Sequence, residues 1–393
     1  MCDQKTKQLT LAHFWVAFGA FALASVMGFY QVVERSGLIP ALQSPGVYFA
    51  SVSTHGVLMG FVLTTFFIMG FGYHTAANHD APFCRSAAWA GFWTAAAGTL
   101  LAALPLLTGK ASVLFTFYPP LQAHPLFYLG ATLLVVGSWV WCVLMVMAVG
   151  AWKQAHPGGT LPLPLFATGA NAVLWLWSSV GVALEVVFQL LPWSLGLVDT
   201  VDVGLARTLF SWTLHPIVYF WLVPAYIALY CFVPQAAGGK LFSEELARIA
   251  FVLILVFGLP IGFHHLYMDP MQASGWKLAH GVGTYVVVIP TLITAFTVIA
   301  SLEMAGRKQG GQGLFGWIGK LPWTQPMVLA AILSLLMLLL GGFGGLVNAS
   351  YAMNAMVHNT AWVSGHFHLI FAGTVITLYF AIAYRLWPSL TGK

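Results

Sequence analysis

Histidine is over-represented in an unusual place. The chain has 13 histidines against 10 aspartates and glutamates together. Six of them, His55, His215, His264, His265, His366 and His368, lie inside long apolar runs. An imidazole in such a run is costly and usually lines a cavity or binds a ligand. In His366-Phe367-His368 the two rings stand about 200° apart on a helix. They cannot share one ion, but each can bind its own large cofactor, and axial ligation of haem meets that demand. His55 can supply the second axial ligand of one haem, leaving the other open to a gas. Geometry leaves open which of His366 and His368 serves which.

The adjacent pair His264-His265 points about 100° apart on a regular helix, so sharing an ion requires a helix end or distortion. Pro260, Gly262 and Asp269-Pro270 provide for one. With His215 the pair makes a three-imidazole set suited to copper, zinc or iron. His215 and Tyr219 are i and i+4, on one helix face. A tyrosine there can give an electron and a proton at the site, or simply hydrogen-bond its neighbour. The four cysteines form no C-x-x-C pair, so neither a thiolate site nor a disulfide framework is indicated.

These residues need elements to hold them. The 393 residues are 60% hydrophobic and 6% charged. A water-facing surface cannot be built from so few charges, so soluble, disordered and nucleic-acid-binding classes are excluded despite a pI near 9. The expected fold is all-α, a polytopic membrane helix bundle. About 20 apolar residues cross a bilayer. Ten segments qualify: 9–33, 47–74, 86–107, 125–152, 163–192, 205–233, 246–268, 278–304, 326–350 and 361–387. The first is too long for a signal peptide and lacks a cleavage site. No internal repeat is evident, which weakens an inverted-repeat transporter reading; a proton-coupled transporter whose histidines titrate is an alternative.

With the N-terminus inside, eleven Lys and Arg (Lys5, Lys7, Arg85, Lys153, Lys240, Arg248, Arg307, Lys308, Lys320, Arg385, Lys393) fall on the inner side. Four, Arg35, Lys110, Arg207 and Lys277, fall outside. This positive-inside bias makes both termini cytoplasmic. All six histidines then sit in the outer half of the membrane. The other seven, His13, His74, His79, His124, His156, His280 and His358, mostly fall near interfaces and need no such role.

Tyr219, Tyr226 and Tyr230 form one stripe descending about 16 Å along the sixth segment. Thr291 and Thr294 on the eighth segment and Ser243 at the start of the seventh add hydroxyls for a proton path. Interfacial aromatics and small packing residues are the alternative for Tyr230 and Ser243. Glu185 is either a buried proton site or a hydrogen-bonded structural acid, and Glu303 snorkels to the inner surface.

Four stretches carry a family resemblance: His55-Gly56-Val57-Leu58, Trp212-Thr213-Leu214-His215-Pro216-Ile217-Val218-Tyr219, Gly262-Phe263-His264-His265, and His358 through His368. They resemble subunit I of the haem–copper oxygen reductases, the cytochrome c oxidase superfamily, most closely its B-type branch. The resemblance implies a low-spin haem on His55 and His368, a high-spin haem on His366, and copper B on His215, His264 and His265. It makes Tyr219 the tyrosine joined covalently to His215. Ile217, where the A-type branch has glutamate, favours the B type. Nitric oxide reductases share the six histidines but lack the tyrosine, so Tyr219 favours dioxygen. The B-type family also uses one hydroxyl-rich proton path, which Tyr226, Tyr230, Thr291, Thr294 and Ser243 resemble.

By this resemblance the protein is a terminal oxidase subunit of a prokaryotic plasma membrane, coupling oxygen reduction to proton translocation. No copper A motif is present, so electrons from cytochrome c would enter through a subunit II that carries it. The chain departs from the family pattern at Leu214, commonly Gly, and at Asn354, often Asp. The family has at least twelve helices, so the ten here, ending at Thr391-Gly392-Lys393, are expected to be part of a longer bundle with an arginine pair at the haem propionates.

Overall fold

The computed structural model describes residues 3–39, 44–259 and 262–392. Pro260 and Lys393 lie outside the described residues. Nine helices among the described residues are long and apolar enough to cross a membrane. They are α1 (Gln4–Ser36), α2 (Pro45–Asn78), α3 (Arg85–Leu107), α4 (Pro125–Ala155), α5 (Leu163–Ser194), α6 (Val203–Ala236), α8 (Ser274–Lys308), α9 (Pro326–Ala349) and α10 (Ala361–Thr391). The seventh expected crossing, 246–268, is not one continuous described helix. It comprises α7 (Glu244–Gly258) and, past residues 260–261, a single 3-10 turn at Phe263–Leu266. The tight turn is the helix end that adjacent histidines demand.

Helix ends follow local chemistry. The Asp3 carboxylate accepts the Thr6 N–H at 2.9 Å and pairs with Arg85, so α1 begins five residues before the first expected position. That hydrogen bond from Thr6, then the Arg85 charge, holds the exposed Asp3 carboxyl below its usual range. Ser243 caps α7 by accepting Leu246 N–H at 3.1 Å, with two glutamates in the first turn.

Two compact units are distinguished: residues 1–159 with 175–214, and residues 160–174 with 215–393. In the first, α3 and α4 pack backbone to backbone. A Cβ on Gly130 would lie 2.5 Å from the Gly98 carbonyl oxygen, and one on Gly137 would lie 2.6 Å from that of Gly91. Small residues replace the hydrophobic driving force that lipid removes. Polar side chains add cross-links: Trp139 donates to Ser179 at 2.7 Å and Trp175 to Ser138 at 2.8 Å. In the second unit, Tyr379 on α10 donates to the Trp221 carbonyl on α6 at 2.9 Å, and Thr374 donates to the Ser334 carbonyl on α9 at 3.1 Å.

Several helices depart from α geometry beside the chemically interesting residues. Wider π turns occupy Leu58–Leu63 after His55, Val186–Leu190 after Glu185, Ala228–Phe232 around Tyr230, and Phe371–Ile376 after His368. Such turns cluster at functional sites. Prolines explain two further breaks. Pro216 interrupts α6 at His215, and Pro290 lacks the N–H that would bond Val286, so α8 breaks at Val287.

The close α3–α4 pairing yields a prediction. Gly130→Leu drives a side chain into backbone, which costs about 1–3 kcal/mol. The melting temperature of the solubilised protein is expected to fall by several degrees. Gly150→Leu on the same helix, where an added Cβ meets nothing within 4 Å, is expected to leave it unchanged.

Candidate functional site

The densest chemistry lies in the second unit. His215 occupies the break in α6, while His264 and His265 ride the 3-10 turn. One nitrogen from each of the three rings lies within 4.8 Å of the others. His264 is buried, His215 half-buried and His265 exposed. The His215 and His264 ring centroids are 4.5 Å apart, and those of His264 and His265 are 4.2 Å apart. Three imidazoles at this separation can converge on one ion of borderline softness.

Hydrogen bonding decides which nitrogen each ring offers. His215 Nε2 meets the Tyr219 hydroxyl at 2.9 Å, which leaves Nδ1 for an ion. His264 Nδ1 meets the Thr284 hydroxyl at 2.9 Å, leaving Nε2. These geometries fit a copper ion held by His215, His264 and His265.

The other three histidines follow one rule. His366 Nδ1 donates to the Gly341 carbonyl at 2.7 Å, and His368 Nδ1 donates to that of Ser364 at 2.8 Å. In the first unit, His55 Nδ1 donates to the Ala24 carbonyl at 2.8 Å. A carbonyl can only accept, so each ring carries its proton on Nδ1 and keeps the Nε2 lone pair. That is the form an axial haem ligand requires. Glycines clear the space: a Cβ on Gly28 would lie 2.9 Å from His55 Cε1, and one on Gly345 would lie 3.1 Å from His366 Cε1. The donor set and its framing therefore fit haem ligation as well.

Tyr219 is buried and packs beside Gly258 of α7. Below it on α6, Tyr226 donates to Thr291 at 3.2 Å, and the Tyr230 and Thr294 hydroxyls lie 2.6 Å apart. Both links step the same way along α6 and α8, so these stretches run parallel and bring four of the expected path residues into two bonded pairs. Ser243 does something else. It is half-buried, caps α7 and also donates to Glu245 at 2.9 Å. Buried Ser301, on α8 beyond Thr294, accepts the Phe242 N–H at 2.9 Å and was not singled out by the sequence.

In the first unit Glu185 is fully buried, and neither carboxylate oxygen has a hydrogen-bond partner among the described residues. Flanking residues Val182 and Val186 line an apolar cavity of about 110 Å³ walled also by Phe61, Phe117, Trp139 and Trp175. The remaining histidines differ in burial. His13 and His74 are buried, His13 against Phe92 at 4.8 Å between ring centroids, with its Nδ1 on the Leu9 carbonyl. His280 is half-buried and accepts the Gly262 N–H at 3.2 Å. No local spacing signals that bond, because it joins residues 18 apart across a turn.

Comparison with known proteins places these residues in context. The family described as Cytochrome C and Quinol oxidase polypeptide I matches residues 8–393. Cytochrome c oxidase subunit 1 of Thermus thermophilus is 44% identical over 397 residues, which covers 98% of this chain and 70% of that protein. Cytochrome c oxidase subunit 1 of Thermostichus vulcanus is 27% identical, covering 95% of this chain and 68% of its own. Among solved structures, a cryo-EM structure of a heme-copper terminal oxidase dimer superposes with a TM-score of 0.94 at 41% identity, covering 98% of this chain and 69% of that one.

The ring framing is testable. Gly28→Val is expected to push His55 off the Ala24 carbonyl and remove one haem species from the reduced-minus-oxidised spectrum. Gly19→Val, on the same helix with open space around it, is expected to leave the spectrum unchanged.

Proposed function

The chain belongs to the cytochrome c and quinol oxidase polypeptide I family of respiratory oxidoreductases, and on that premise we propose that it reduces dioxygen to water at a haem–copper pair of the B type. The observation that carries the reading is the three-imidazole cluster with Tyr219 hydrogen-bonded to the offered-away nitrogen of His215. When bound, the haem iron and copper supply the oxygen-binding site and most of the electrons. His215, His264 and His265 would hold the copper, His366 the high-spin haem, and His55 with His368 the low-spin haem.

The chain's own residues have defined tasks. Tyr219 stands one hydrogen bond from a copper ligand and gives a proton and an electron as the oxygen–oxygen bond is cleaved. The bonded pairs Tyr226–Thr291 and Tyr230–Thr294 pass protons toward Tyr219 from the inner side. Hydroxyls suit this role because each donates and accepts. Ser243 caps its helix at the inner end of that path, and Glu185 is a buried proton site apart from it. The apolar cavity of the first unit has the chemistry to admit a small apolar gas. Ile217, in the position where the A-type branch carries glutamate, supports the B-type assignment, as does this single hydroxyl route.

The positive-inside distribution supports a prokaryotic plasma-membrane protein with cytoplasmic termini. Electrons arrive from cytochrome c through a partner subunit carrying copper A.

Two outcomes test this. Tyr219→Phe in the assembled oxidase is expected to abolish oxygen consumption while leaving both haem bands in place. Normal turnover would remove the tyrosine from the reaction, and turnover confined to nitric oxide would reassign the substrate. Tyr226→Phe is expected to slow proton uptake about 10-fold or more, the size of a lost proton-transfer group, and an unchanged rate would retire the route.

A further inference from the structure

The 3-10 turn Phe263–Leu266 presents two adjacent ligands yet is only four residues long. At its start, His265 N–H reaches the Gly262 carbonyl at 3.0 Å. Three close approaches from α8 frame it. His280 Nδ1 accepts the N–H of Gly262 at 3.2 Å, immediately before the turn. One helical turn on, the Thr284 hydroxyl meets His264 Nδ1 at 2.9 Å. Between them, Gly281 has no Cβ. One placed there would collide with the Tyr267 hydroxyl, which instead reaches the Ala349 carbonyl at 2.8 Å.

The direction of the Thr284 bond is fixed by counting hydrogens. The same hydroxyl lies 2.7 Å from the His280 carbonyl. A carbonyl cannot donate, so the single hydroxyl hydrogen lies on that contact. Thr284 can then only accept from His264. The proton of His264 is therefore on Nδ1, and Nε2 carries the lone pair. Because Thr284 is buried and bonded at both ends, water cannot readily replace it.

We propose that His280 and Thr284, i and i+4 on α8, are a positioning pair for the metal site. Thr284 selects the His264 tautomer and aims its Nε2, while His280 anchors the entry to the turn. This rests on the copper reading above. Neither residue touches the metal. Partners of this kind orient ligand rings, and their loss typically weakens metal affinity 10–100-fold.

The experiment measures copper per haem in the assembled oxidase after challenge with EDTA, with haem absorbance as the assembly control. Thr284→Val and His280→Leu are expected to weaken copper retention about 10–100-fold. Thr284→Ser keeps the acceptor, and His280→Asn keeps an acceptor atom near Nδ1, so both are expected to retain copper. The infrared band of carbon monoxide on copper is expected to shift in Thr284→Val and to stay in place in Thr284→Ser. Copper held at wild-type strength by both Thr284→Val and His280→Leu overturns the proposal. Should Thr284→Val fail to assemble, His280→Leu against His280→Asn decides, and equal retention by those two overturns it. Absence of copper from the wild-type oxidase, by contrast, sinks the copper reading itself.

Discussion

A neutral imidazole has one donor and one acceptor nitrogen, and in an apolar interior the donor must be satisfied. Much of the structure follows from how that donor is met. His55, His366 and His368 each give Nδ1–H to a main-chain carbonyl, and His264 gives its own to Thr284. His215 is turned the other way, with Nε2 on Tyr219. One nitrogen of each ring is thereby held, and the other is left with a fixed direction. Helices must approach closely for a backbone carbonyl to reach a ring, which is why glycines stand at Gly28, Gly344 and Gly345 beside His55 and His366.

The same demand explains where the helices are irregular. Backbone that leaves α geometry inside a membrane survives only where its polar groups are met again or where it lines a site. Here irregularity falls beside the histidines: a π turn after His55, a proline break at His215, a 3-10 turn under His264 and His265, and a π turn after His368. Glu185 precedes another π turn and is buried without a bonded partner among the described residues.

Much of this was legible in the sequence, and the failures are informative. Apolar length located nine of the ten crossings because span length is a property of consecutive residues. The seventh, 246–268, includes residues 260–261, which lie outside the described residues, so α7 and the 3-10 turn after them are described separately. Helical angle anticipated that His215 meets Tyr219. It also aligned Tyr226 and Tyr230, although their bonded partners Thr291 and Thr294 are some 65 residues away. The roles of His280 and Thr284 were invisible for a related reason: each depends on a tertiary contact across a turn. Ser243 read as a path hydroxyl, yet its position before two glutamates is that of a helix cap. The burial of His13 and His74 was not legible, because depth along a span says nothing about lateral packing.

The central claim is that the committed nitrogens leave lone pairs aimed at two haems and one copper ion. Carbon monoxide difference spectroscopy on the dithionite-reduced, fully assembled oxidase tests it most directly, combined with metal analysis of the same sample. The account predicts two haems and one copper per chain, with carbon monoxide binding to one haem only and His366→Ala abolishing that binding. Carbon monoxide on both haems, or wild-type protein with neither haem nor copper, would contradict it.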